Sequence, residues 1–139
     1  MSTYPLTALA RTADPRIMLR RFLALDAVVT GANGLAYAAA SGPLGRLLGV
    51  DATLLLAIGA FLLLYAAAVG YVASRTRPPA LAVRAVIEAN AVWAVLSLAA
   101  LVGWLSPTVA GAVWIPMQAA VVAGFAALQY VSLRASVRA

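Results

Sequence analysis

"RRFLALDAVVTGANG", residues 20–34, decides the fold. Two arginines lead into an apolar run that Asp26, Thr30 and Asn33 then interrupt. A helix of about 20 apolar residues crosses about 30 Å of hydrocarbon, and polar side chains are tolerated there only if they face protein or an internal cavity. At about 100° per residue, Asp26, Thr30, Asn33 and Tyr37 form one stripe along such a helix. Ala27, Gly31, Gly34 and Ala38 run beside it as a line of small residues. Small residues let a second backbone approach closely, and interhelical bonds from Asn or Thr add about 0.6–2 kcal/mol each. The stretch reads as a membrane span packed against other spans.

The rest of the chain supplies those partners. Spans are expected at 22–40, 52–73, 85–105 and 108–133, after a cytoplasmic tail at 1–19. Together they make a single membrane domain over residues 1–139. Between the first two lie Gly42, Pro43, Gly45 and Gly49, which are turn and helix-stop residues. Pro78-Pro79 and Ser106-Pro107 mark the other two connections. Loops this short make consecutive spans antiparallel and adjacent. The fold class is all-α, a four-transmembrane-helix bundle.

Composition agrees. The 139 residues are 65% hydrophobic and 10% charged, against about 25% charged in a soluble domain. With neither cysteine nor histidine, thiol redox chemistry, disulfides, histidine-ligated metals and the usual general base are excluded. No phosphate-binding loop or nucleophile–base pair is present, so the chain reads as a non-enzyme with no cofactor. The alanine and arginine bias without lysine points to a bacterial source. The arginines gather between apolar runs and form no stripe along one face, so the net charge of +6 does not indicate nucleic acid.

Those arginines give an orientation. Arg11, Arg16, Arg20 and Arg21 precede the first span. Arg75, Arg77 and Arg84 lie between the second and third, and Arg134 and Arg138 end the chain. Arg46 alone falls on the opposite side. The positive-inside rule then predicts an inner-membrane protein with both termini cytoplasmic, Trp104 and Trp114 near the outer interface, and Tyr71 and Tyr130 near the inner one. A cleavable leader over residues 1–40 fits poorly, because Asp26 and Asn33 interrupt the apolar segment it needs.

The candidate proton or ligand site comprises Asp26, Glu88, Asn33, Asn90 and Trp93. Asp26 and Glu88 each follow an arginine, Arg21 and Arg84, by about one helical turn. That places both acids near the cytoplasmic boundary, where the helix N-terminus and the arginine stabilise a carboxylate. Alternatively, the two acids converge and exchange protons in a small proton-coupled transporter. Asn90, Trp93 and Ser97 share a face roughly opposite Glu88, and the Trp93 indole needs an acceptor such as Asn90 or Asn33. Gln118 and Gln129 share a face of the last span, while the second span offers only a small-residue packing face at Ala66, Gly70 and Ser74. The acids, with Pro43 and Pro107 following at similar distances, echo a parallel duplication.

"LRRFLALDAVVTGANGLAY", residues 19–37, resembles in outline the DoxX-like group of small bacterial four-helix membrane proteins. The four-span layout with an acid in the first span is also similar to the small multidrug resistance transporters. These resemblances imply a four-helix shape and carry over no functional residue. The expected role is that of an accessory or structural membrane protein. Its partner is the lipid bilayer, with a homo-oligomer or another membrane protein left open.

Overall fold

The computed structural model describes residues 14–138, which form five helices: α1 (Pro15–Ala39), α2 (Ser41–Leu48), α3 (Ala52–Ser74), α4 (Ala80–Gly103) and α5 (Val109–Arg138). Arg11 and most of the expected tail lie outside the described residues. Four of the helices are long and apolar enough to cross a membrane, so the chain is a multi-pass helical bundle. Leu64, Val95 and Val131 point outward from it, as lipid-facing side chains do.

The first span starts at Pro15, not at Phe22. Asp14 caps the helix by accepting the Arg16 N–H at 2.9 Å, and Pro15 occupies the first helical position, where its missing N–H leaves nothing unpaired. Residues 15–19, expected in the tail, are therefore helical. Arg20 donates from Nε to the Ala73 carbonyl at 3.1 Å, one of those the last turn of α3 leaves open. The third span likewise starts at Ala80, directly after Pro79, and not at Ala85.

Between the first two long helices, residues expected to form a loop instead build α2. Pro43 falls in its first turn, where proline is tolerated, and Gly49 ends it in the left-handed region at φ 73°. The end of α2 docks on the start of α5. Thr108 donates from its backbone N–H to Leu48 at 3.2 Å and from Oγ1 to the Leu47 carbonyl at 2.5 Å. The same hydroxyl accepts the Gly111 N–H at 3.2 Å and so caps α5.

The most extensive packing is α1 on α3, followed by α4 on α5 and then α1 on α5. The small line on α1 meets small residues on α3: Gly31 faces Ala66, Ala27 faces Gly70, and Gly34 lies against Gly59. Helices α3 and α4 are neighbours, as their short connection implies, but their backbones barely approach and they meet mainly through side chains. Phe61 of α3 and Trp93 of α4 stack between them, centroids 5.9 Å apart. That bulky pair stands where α1 and α3 have glycine. Helices α1 and α4 lie on the diagonal of the bundle.

The arginine-bearing ends of the long helices close around a dry core of Leu19, Leu23, Val69, Ala73, Val83, Val86 and Leu133. On the exterior, Arg75 donates to the Tyr71 hydroxyl at 2.9 Å and Arg134 to that of Tyr130 at 3.0 Å. Each guanidinium also lies over its tyrosine ring. The two tyrosines thus sit at the arginine-rich end, as an interfacial aromatic belt requires.

Candidate functional site

Next to the dry core, toward α2, lies a layer of polar side chains drawn from all four long helices. Asp26 is 1% exposed, Asn90 3% and Gln129 0%. Both amide nitrogens converge on one carboxylate oxygen: Asn90 Nδ2 and Gln129 Nε2 each lie 2.8 Å from Asp26 Oδ2. Thr30 donates to Oδ1 at 2.9 Å from one turn along α1. The remaining hydrogen of Asn90 Nδ2 goes to Gln129 Oε1 at 3.1 Å, and Asn90 Oδ1 accepts the Tyr65 hydroxyl at 3.0 Å. The orientations are mutually consistent. An acceptor at Asp26 turns both amides nitrogen-first, and their carbonyl oxygens then find donors behind them. Among the described residues no buried side-chain nitrogen or oxygen lacks a partner.

Asp26 occupies the middle of α1, about 16 Å from its start at Pro15. It is therefore not beside a helix N-terminus, and the partners that hold it are neutral amide and hydroxyl dipoles, not Arg21. Glu88 is exposed on α4, as is Arg84. The two acids do not converge, and the duplication they suggested puts one inside and the other outside. The Glu88→Gln variant should leave the unfolding midpoint in detergent unchanged, since no hydrogen bond of the polar layer passes through Glu88.

The other candidate residues line a cavity of about 640 Å³ between α3 and α4, on the α2 side of the polar layer. Asn33 and Trp93 are both on its wall, and Asn90 forms part of its deep end. The Trp93 indole donates to Gln118 Oε1 at 3.3 Å, not to either asparagine. Tyr37, at the end of the α1 stripe, accepts the Trp114 indole N–H at 2.6 Å and ties α1 to α5. The stripe of the first span thus divides: Asp26 enters the polar layer, Asn33 and Tyr37 face the cavity, and Thr30 touches both.

Tyr65 and Gln129 belong to the site but were not among its candidates. A phenol amid the hydrocarbon of "FLLLYAAAVGY", residues 61–71, was the available signal, and it corrects the view of the second span as packing alone. Gln129 shares a face with Gln118 in the sequence, which gives no way to see which span that face meets. Among the described residues no group of three potential metal ligands occurs. No protein-family model, curated protein or solved structure matches the chain.

Proposed function

We propose that this chain is a non-enzymatic accessory protein of a bacterial inner membrane, with both termini cytoplasmic, in which Asp26 joins the four spans and carries no protons across. It would then stand with small bacterial four-helix membrane proteins of DoxX-like outline. Arginine at one end of every long helix supports the orientation. The observation that carries the reading is the trio of neutral donors, from three helices, that converge on the Asp26 carboxylate. The dry core between this layer and the arginine-rich end also argues against a water path to that side. The apolar exterior makes lipid its immediate partner, and exposed Glu88 marks a face of α4 where a second copy or another membrane protein would dock.

A small proton-coupled transporter is the second reading. It is favoured because the cavity reaches Thr30 and Asn90, both bonded directly to Asp26. Asp26→Asn separates the two. The amide can keep its oxygen at the Oδ2 position and donate its nitrogen to Thr30, so the bundle loses no more than about 1–2 kcal/mol. In liposomes holding a pH-sensitive dye, the native protein and the variant should be equally proton-tight under an imposed gradient. A native protein that dissipates the gradient, paired with a variant that does not, would establish transport instead.

A further inference from the structure

We infer that the cavity between α3 and α4 is a binding site for an uncharged amphiphile dissolved in the membrane, one with a drug-sized apolar body and a single hydrogen-bonding group. The inference does not rest on the accessory reading above, since a scaffold and a transporter could each hold such a ligand.

Size comes first. About 640 Å³ falls within the roughly 300–1,000 Å³ of small-molecule pockets. Access is sideways. Leu54, Phe61, Val92 and Leu96 belong to the cavity wall and are also exposed on the bundle exterior, where the backbones of α3 and α4 barely approach. A ligand would therefore enter from hydrocarbon. Charge is excluded, because among the described residues no arginine, aspartate or glutamate lines the cavity. An ion there would go unpaired in a low-dielectric site, at a cost of several kcal/mol.

Polarity sets the remaining feature. Asn33 faces the cavity from α1 yet, among the described residues, enters none of the hydrogen bonds that join the helices. A bare acyl chain would leave its carboxamide without a partner, whereas a hydroxyl or carbonyl on the ligand would supply one. A phospholipid headgroup is the wrong occupant, because it is charged and the polar wall lies halfway along the helices.

The chain carries its own reporter. It has three tryptophans, and Trp93, Trp104 and Trp114 all line this cavity. The test is a titration of the full chain in phosphatidylcholine nanodiscs with retinol, an uncharged polyene alcohol that quenches tryptophan emission. Quenching should saturate at one retinol per chain. Ser97→Phe fills the wall from a residue whose hydroxyl bonds only within its own helix, and it should weaken binding by about tenfold or more. Asn33→Leu keeps the bulk, removes the polar partner and should cost about fivefold. Retinoate, the anion of the same skeleton, should bind about tenfold more weakly. Circular dichroism checks that the variants fold, and Ala100→Leu on the same wall replaces Ser97→Phe if that chain does not. Quenching that rises without saturation, as for partition into lipid, overturns the proposal. So does equal binding by a folded cavity-filling variant, or by retinoate.

Discussion

Asp26→Leu should destabilise the bundle by roughly 2–5 kcal/mol, because it removes one acceptor and orphans several donors. Gln129 Nε2 loses its partner at 2.8 Å, and Asn90 Nδ2 keeps only its bond to Gln129. Thr30 can turn back to a carbonyl of its own helix and loses little. Both amides are buried among apolar side chains, so little solvent is at hand to replace the lost acceptor. The cost lies in the unpaired groups more than in the missing bonds. The triple variant Asp26→Leu, Asn90→Leu, Gln129→Leu should therefore recover most of what the single change loses. Reversible unfolding in mixed micelles, followed by circular dichroism, measures both. A triple variant no more stable than the single one would mean that the polar layer contributes attraction of its own.

The second large effect is expected at Gly59. A Cβ added there would lie 2.6 Å from the Ala38 nitrogen and 2.8 Å from the Gly34 oxygen, and one added at Gly34 would lie 2.9 Å from the Gly59 oxygen. These neighbours are backbone and cannot rotate away, so α1 and α3 must separate. Gly59→Ala should cost about 1–3 kcal/mol and Gly34→Ala a similar amount. The double variant should fall well short of the sum, since the first change opens the gap the second needs. The chain lacks cysteine, so spin labels on cysteines placed at exposed Leu35 and Leu64 can read the helix separation directly. An unchanged separation in a stable Gly59→Ala protein would refute the contact.

Hydrophobic runs and arginine positions made the four spans legible, because lipid imposes both on any chain that crosses it. The small line at Ala27, Gly31 and Gly34 was legible for the same kind of reason: helical periodicity shows which residues share a face. Partners were not. Asp26 looked like half of an ion pair with Arg21 because sequence shows neighbours along one helix, while two of its three donors lie 64 and 103 residues away. The start of α1 was missed because Arg16, Arg20 and Arg21 lower the hydropathy of turns that nonetheless continue the helix. Tyr65 and Gln129 were not legible as site residues because each is a single polar residue whose rotation about the bundle is set only by packing.

The thin seam between α3 and α4 has a consequence for how the molecule is put together. Its strongest contacts lie within residues 15–74 and within residues 80–138, not between them. Each half is a helical hairpin that can form as it leaves the ribosome, and the five residues from Arg75 to Pro79 serve as a tether. What the halves recognise in each other is a pattern of hydrogen-bond donors and acceptors, Asp26 and Thr30 with Tyr65 on one side, Asn90 and Gln129 on the other. That pattern closes only in one vertical register. A hairpin displaced by a single turn would break the bonds from Asn90 and Gln129 to Asp26 and from Tyr65 to Asn90, all in oil, so the polar layer works as a proofreading device for assembly.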